Sequence, residues 1–131
     1  MTSATPFGDD PGRFIADFYT EFTRQILGTD DDPGAIVDRF HAPGFVQYVD
    51  GNRIDREKLA AHLRPVRRNA AGTRVEVHEA LARGDLLTAR YTLHTTGRKG
   101  DTTSDVGFFG RFDPDGRMRE AYVFSRTRSA P

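Results

Sequence analysis

Tyr19 and His62 are two side chains of this sequence that are suited to holding or moving a proton. Tyr19 lies beside a row of phenylalanines, where its hydroxyl could donate a hydrogen bond to a carbonyl or enolate oxygen of a ligand. The alternative is a core tyrosine that bonds to backbone or water. His62 follows Leu59 by three residues, at the edge of an apolar helix face, and imidazole is a natural general acid or base near neutral pH. Its alternative role is a boundary histidine that reaches solvent.

Tyr48 and Asp50 lie near the end of a short apolar run, two residues apart, so we expect both on one face of a strand. We predict that Tyr48 assists Tyr19 and His62 in a catalytic set. Asp50 could act as a base if burial raised its pKa, because removal from water disfavours a carboxylate. The segment Asp50-Gly51-Asn52 is also typical of a turn, and this alternative stays open.

The remaining histidines and the lack of cysteine narrow the possible chemistry. A chain without cysteine has no disulfide, thiolate metal site or cysteine nucleophile. His41 ends a predicted helix, where a cation suits the helix dipole, and His78 and His94 are out of phase with their apolar neighbours. Four scattered histidines without a carboxylate at ligand spacing predict no metal site, and we expect no cofactor.

Three helices in the first half of the chain must position the candidate residues. Apolar residues recur every four positions from Phe14 to Ile26, and Gly28 ends this run, which predicts a first helix. Aspartates before Pro33 predict a second, shorter helix, and Asp55 is the predicted cap of a third helix. We expect Pro65 to break the third helix near its end.

The second half of the chain reads as strands. A first strand is predicted over residues 45–49, and the hydrophobic period of two predicts strands over 73–82 and 86–96. Residues 105–125 form a closing hairpin around Asp113-Pro-Asp-Gly116, a turn in which proline sets φ and glycine supplies φ > 0. The order is therefore ααβαββββ.

This order predicts one α+β domain over residues 10–128, after a loose, disordered tail of residues 1–9. The strands come late and follow one another through hairpins, so we expect an antiparallel sheet with the helices packed on one face.

Net charge is zero, with 19 basic and 19 acidic residues, so no electrostatic signature of nucleic acid or membrane binding is present. No apolar run approaches the length of a membrane span or of a signal-peptide core. We expect a cytoplasmic protein without nucleic acid or membrane partners.

Several segments resemble the nuclear-transport-factor-2-like superfamily, in its ketosteroid-isomerase-like and SnoaL-like polyketide-cyclase branches. Residues 42–51 followed by 55–61 are similar to the family's first strand and the helix after it. Residues 75–78 and 110–118 are similar to its later strands and turn, and the likeness spans roughly residues 12–125. The resemblance implies a cone-shaped, curved sheet wrapped around the helices, a central pocket, and commonly a homodimer through the outer face of the sheet.

Of the three isomerase site positions, only one holds a chemically equivalent residue in this sequence. The helix tyrosine of the oxyanion hole matches Tyr19. The position of the protonated strand aspartate holds Phe108, which has no proton to give. The position of the base holds Tyr48, and in the cyclases this position often holds histidine. Steroid-type proton shuttling is therefore not expected.

Our first hypothesis is a cyclase- or isomerase-like enzyme that acts by acid/base chemistry on a small, largely apolar ligand, such as a polyketide, terpenoid or steroid-like molecule. The residues predicted to line its pocket are Phe14, Phe18, Phe22, Phe40, Asp50, Leu63, Tyr91, Phe108, Val123 and Ser125. Ser125 has no adjacent histidine–acid pair and is a weak nucleophile.

The alternative hypothesis is a non-catalytic ligand-binding or dimerisation domain that has lost the family's acids. A third is an accessory subunit that pairs with a different chain. Phe109, Tyr122 and Phe124 are predicted on the outer face of the sheet, where exposed aromatic residues favour a homodimer interface.

Overall fold

Three helices pack against one face of a six-stranded sheet in the computed structural model, which describes residues 5–129. The elements are α1 (Pro11–Gly28), α2 (Pro33–Phe40), β1 (His41–Val49), β2 (Asn52–Asp55), α3 (Arg56–Asn69), β3 (Ala70–Arg83), β4 (Leu86–Gly97), β5 (Thr102–Phe112) and β6 (Met118–Ser129). The strands lie in the order β2-β1-β6-β5-β4-β3, so the sheet is open, with edges at β2 and β3. None of the helices within this described part of the chain is long and apolar enough to cross a bilayer. The α+β prediction is confirmed.

The helices begin where their aspartate caps predict. The side chains of Asp10, Asp32 and Asp55 each accept a hydrogen bond from the backbone N–H three residues later, at 3.0, 3.2 and 2.9 Å. The predicted break at Pro65 is wrong, because α3 continues through this residue to Asn69. A proline so close to the end of a helix removes one N–H donor while few helical bonds remain to be lost.

The sheet is mixed rather than purely antiparallel. β1 runs parallel to β6, whereas all other neighbouring strands are antiparallel. The prediction failed here because α3 separates β1 from the later strands, and a helical connection allows either direction of return. A short strand, β2, was also missed; it pairs with β1 immediately after the Asp50-Gly51 turn.

The closing hairpin is confirmed and is longer than predicted. β5 and β6 pair along their whole length, from Thr102 opposite Ser129 to Phe112 opposite Met118. In the turn between them, Gly116 has φ of 89°. Side chains alternate along β5, so that Val106 and Phe108 are buried under the helices while Phe109 is exposed on the opposite face. Asp105 follows the same alternation and faces outward: its carboxylate accepts a hydrogen bond from the Thr92 hydroxyl and pairs with Arg126 and Arg128.

An aromatic cluster fills the end of the domain nearest the hairpin turn. The rings of Phe7, Phe14 and Phe112 meet edge to face, with centroids 5.1 to 5.6 Å apart. Phe7 is only 4% exposed, so the ordered chain begins before the predicted tail of residues 1–9 ends. The first four residues of that tail lie outside the described residues. The core is therefore anchored at the hairpin end, and the opposite end of the domain is left open.

Candidate functional site

A cavity of about 610 Å³ lies at the open end of the domain, between the helices and the inner face of the sheet. The turn between β4 and β5 forms part of its mouth. This turn is fixed by two backbone bonds, from Arg98 N–H to the Asn69 carbonyl at 3.1 Å and from Gly100 N–H to the Gly97 carbonyl at 3.2 Å. The lining residues are Tyr19, Phe22, Thr23, Gln47, His62, Pro65, Val66, Asn69, Ala70, Thr73, Leu93, Thr95, Gly97, Arg98, Lys99, Gly100 and Thr102.

Tyr19 reaches this cavity from α1 and rests on buried aromatic rings. Its ring centroid is 5.5 Å from that of Tyr91 and 5.3 Å from that of Phe18. Burial raises the pKa of Tyr19 to about 12, against a smaller lowering by its hydrogen bond with the Tyr91 hydroxyl. Burial likewise raises the pKa of Tyr91 well above its ordinary value. The Tyr19 hydroxyl therefore keeps its proton at neutral pH and can donate a hydrogen bond to a ligand.

His62 reaches the same cavity from α3 and is exposed at its mouth. Leu59 and Leu63 on this helix are buried, which leaves the histidine at the border between the apolar face and solvent. The structure thus brings Tyr19 and His62, predicted from different helices, to one cavity. Phe22 is the only member of the predicted apolar lining that contacts this cavity within residues 5–129.

Tyr48 lies on the opposite face of the sheet. Its ring stacks on that of Tyr122, with centroids 5.1 Å apart and planes 16° from parallel. The residue of β1 that faces the cavity is its neighbour Gln47, which pairs with the buried Ala121. The structure therefore places Tyr48 outside this cavity, one residue of strand register away from the inward position. Phe45 is buried, and Gln47, two residues later, lies on the same face of the strand. This period of two was the signal that could have identified Gln47 as the inward residue.

Asp50, in the turn between β1 and β2, and Ser125, on β6, lie outside the cavity. Asp50 has φ of 51° and its carboxylate accepts hydrogen bonds from Ser125 N–H, at 2.8 Å, and from the Ser125 hydroxyl. These bonds lower the pKa of Asp50, and the side chain is exposed. The predicted ligand-binding roles of this pair are not supported, because both groups are engaged in joining the β1–β2 turn to β6. Val123, also predicted as lining, is buried in the core.

Most predicted lining residues fill the core instead. These residues are Phe14, Phe18, Phe40, Leu63, Tyr91 and Phe108. Phe18 packs on Phe40 and Phe112 at 5.6 Å, and Phe108 is fully buried. The prediction failed because it placed every inward aromatic around one pocket, whereas the aromatics pack together at the hairpin end and leave the cavity to the more polar end.

The cavity lining is mostly apolar, with scattered hydroxyl groups and with positive charge at its mouth. Threonine hydroxyls come from α1, β3, β4 and β5, and the mouth carries the side chains of Arg98 and Lys99. Among the described residues, no aspartate or glutamate contributes to this lining. Sequence analysis missed these residues, although Thr73, Leu93 and Thr95 follow the inward period of their strands. The described part of the chain also contains no group of three or more histidine and acidic side chains placed to hold a metal ion.

His41 is buried away from this cavity. Its ring is 4.4 Å from that of Phe45 and 5.3 Å from that of Phe22, and its Nδ1 lies 2.9 Å from the Val37 carbonyl oxygen. Burial lowers the pKa of His41 to about 4. The predicted role as a cation at a helix end is wrong, because the ring is neutral at neutral pH.

The SnoaL-like domain model matches residues 15–121, most of the chain. The chain belongs to the SnoaL-like domain family. It therefore falls in the isomerase- and cyclase-type group of proteins with the nuclear-transport-factor-2-like fold, as the sequence resemblance predicted. No curated protein matches this sequence.

Solved structures share the fold at low sequence identity. IdmH from Streptomyces antibioticus, described as a candidate polyketide cyclase, is 19% identical, with 88% of this chain and 91% of that chain covered and a TM-score of 0.63. BvnE pinacolase from Penicillium brevicompactum is 10% identical, with coverage of 88% and 86% and a TM-score of 0.66. A protein with a ketosteroid isomerase-like fold from Catenulispora acidiphila is 13% identical, with coverage of 82% and 83% and a TM-score of 0.60. At these identities the likeness concerns the fold alone.

Proposed function

We propose that this protein catalyses an isomerase- or cyclase-type proton transfer on a small, largely apolar ligand bound in the cavity. The observation that carries the proposal is that the half-buried hydroxyl of Tyr19, a hydrogen-bond donor, and the imidazole of His62 line one cavity. The volume of about 610 Å³ is within the range of small-molecule sites. The description of IdmH as a candidate polyketide cyclase is consistent with a polyketide as the ligand.

Each group has a distinct role in this reaction. Tyr19 donates a hydrogen bond to a carbonyl oxygen of the ligand, and this bond strengthens as negative charge develops there. His62 accepts a proton from the carbon beside that carbonyl, whose C–H electron pair passes into the enolate. Where the ligand has a carbon–carbon double bond next to the carbon that loses the proton, the enolate is conjugated with it. The imidazolium then returns the proton to the far carbon of that double bond, which shifts into conjugation with the carbonyl. Tyr91 acts as a positioning residue, because its ring supports that of Tyr19 beneath the cavity, with centroids 5.5 Å apart.

The test is proton exchange in 2-tetralone, an apolar bicyclic ketone, followed by NMR in deuterated buffer. We expect the protein to accelerate exchange beside the carbonyl. Tyr19→Phe removes the oxygen donor and His62→Gln removes the base, and each is expected to slow the reaction by about a hundredfold or more. Tyr48→Phe is the matched control, since this hydroxyl lies on the other face of the sheet, and its rate should equal that of the unmodified protein.

A non-catalytic binding protein is the second candidate. The lack of an acidic side chain in the cavity lining, within residues 5–129, favours it, because carboxylates are common general bases. A binding protein would take up 2-tetralone without accelerating its exchange. That result, with binding confirmed by NMR titration, contradicts the catalytic proposal.

We also propose a homodimer through an aromatic patch on the outer face of the sheet, formed by Tyr48, Phe109, Tyr122 and Phe124. Phe109, Tyr122 and Phe124 are 47, 44 and 56% exposed, more than large apolar side chains usually are. The patch is bordered by groups of both charge signs, Arg111 and Glu120 at one side and Asp105 and Arg126 at another. A second copy related by a two-fold axis can oppose acid to base around the buried rings.

Oligomeric state in solution tests this interface. Phe124→Glu is expected to convert a dimer into a monomer in sedimentation velocity, because it places a charge within the patch. Ala71→Glu adds the same charge at an exposed position at the start of β3 and should leave the dimer intact. A monomeric unmodified protein would refute the interface. The cytoplasmic location and the lack of nucleic acid or membrane partners stay predictions.

A further inference from the structure

We infer that the ligand of this cavity carries a carboxylate group, which Arg98 and Lys99 hold at the cavity mouth. This inference rests on the proposed function, and it names the chemical class of the ligand: a carboxylate on an apolar, ring-containing body. It is based on the distribution of charge around the cavity rather than on the proton-transfer pair.

The two cations are placed by a fixed turn. Arg98 N–H bonds to the carbonyl of Asn69, the last residue of α3, and the Gly97–Gly100 bond closes the turn around both side chains. Gly97 itself is held close to this backbone: a side-chain carbon there would lie 3.0 Å from the Gly100 carbonyl oxygen. The backbone that carries the cations is therefore tied to the end of α3, which forms another wall of the cavity.

Neither cation has an acidic partner within residues 5–129. Several arginines elsewhere on this surface are paired with acids, such as Arg56 with Asp38 at 2.7 Å and Arg119 with Asp85 at 2.6 Å. The nearest acid along the chain, Asp101, does not contribute to the cavity lining. Two positive charges thus lie at the mouth of a cavity whose lining contains no negative one.

The interior of the cavity selects the rest of the ligand. Tyr19, Phe22, Val66 and Leu93 provide apolar surface, which favours an aromatic or alicyclic body. A carboxylate extending from that body to the mouth gains charge-assisted hydrogen bonds from the guanidinium and ammonium groups. A ligand with a cationic end would meet like charge at the same place.

A matched pair of probes tests the inference: 2-naphthoate, which is an anion, and 2-naphthamide, which has almost the same shape and no charge. Dissociation constants are measured by NMR titration, with shifts of the cavity residues marking the site. We expect 2-naphthoate to bind roughly three- to tenfold more tightly, a factor appropriate for exposed ionic contacts. The preference should shrink as salt is added.

Charge-removing variants separate local from general electrostatics. Arg98→Gln with Lys99→Gln should abolish the preference for 2-naphthoate and leave 2-naphthamide binding unchanged. Lys58→Gln with Arg83→Gln removes the same charge outside the cavity, from α3 and the end of β3, and should keep the preference. An equal loss of the preference for 2-naphthoate in both double variants would show a general charge effect and overturn the inference.

Other outcomes also decide the question. Equal binding of the two probes in the cavity would refute the carboxylate inference while leaving the proposed function intact. A lower melting temperature of the Arg98/Lys99 double variant with an unchanged preference would show that the cations serve only the carboxyl end of α3. Failure of both probes to bind would overturn the proposed cavity function and this inference with it.

Discussion

Protonation of His41 is expected to destabilise this protein as the pH falls from 7 to 4. The ring is 5% exposed and is enclosed by Phe18, Phe22 and Phe45, with its Nδ1 at the Val37 carbonyl oxygen. A neutral imidazole suits this environment, whereas an imidazolium would be buried without water.

The size of the effect follows from the change in proton affinity on folding. Burial lowers the pKa of His41 from 6.5 to about 4 against a smaller, opposite effect of the Val37 bond and of Asp38. The unfolded chain therefore binds the proton more tightly, and stability is fully present above pH 6.5 and is lost as pH falls toward 4. At roughly 1.4 kcal/mol per pH unit, the loss amounts to about 3 kcal/mol, a large part of the stability of a typical domain.

Urea denaturation between pH 7 and 4 measures this loss, with His41→Asn as the comparison. Asparagine keeps an N–H that can reach the Val37 carbonyl and does not titrate. We expect the variant to be less stable at pH 7, through lost packing, but to lose about 3 kcal/mol less than the unmodified protein as pH falls. Carboxylates that titrate in this range do so in both proteins, so they cancel in the comparison. Parallel pH profiles, or an imidazole resonance of His41 that titrates near pH 6.5 in the folded protein, would refute the reasoning.

Two further substitutions test the packed core and the support of Tyr19. Gly110→Ala is expected to lower the free energy of unfolding by about 1–3 kcal/mol in urea denaturation, because the new carbon would collide with the buried ring of Phe108. Gly107→Ala on the same strand is its control and should change stability by less than about 0.5 kcal/mol, since the nearest atom lies 4.0 Å away. Tyr91→Phe is expected to slow 2-tetralone exchange about tenfold with an unchanged KM, because Tyr19 loses the hydroxyl that orients it. A changed KM would indicate that Tyr91 shapes the binding surface instead.

The sequence was sufficient for the helices and for the closing hairpin because their signals are local. Aspartate caps and a Pro-Asp-Gly turn act within four residues, so Asp10, Asp55 and Gly116 mark the ends of elements without knowledge of the rest of the fold. The direction of β1 relative to β6 depends on how α3 returns the chain across the sheet. That is a property of the whole topology, and no residue of β1 encodes it locally.

The helical residues of the candidate site could be placed from the sequence, whereas its strand residues could not. Tyr19 and His62 were correctly predicted to face the interior cavity, because a helix face is defined by a period that tolerates small errors. Tyr48 was misplaced because in a strand an error of one residue moves a side chain to the opposite face. Phe45 and Val49 both face inward on β1, and the same period of two places Gln47 between them on that face.

The division of the interior into a packed end and an open end explains why a large aromatic content did not give an aromatic pocket. Phe7, Phe14, Phe18 and Phe112 contact one another near the hairpin turn and need no ligand to be buried. At the other end the strands supply threonines and the β4–β5 turn supplies cations, side chains that do not pack into a dry core. A domain that stabilises one end by aromatic packing can leave the other end open, and that open end is where Tyr19 and His62 meet.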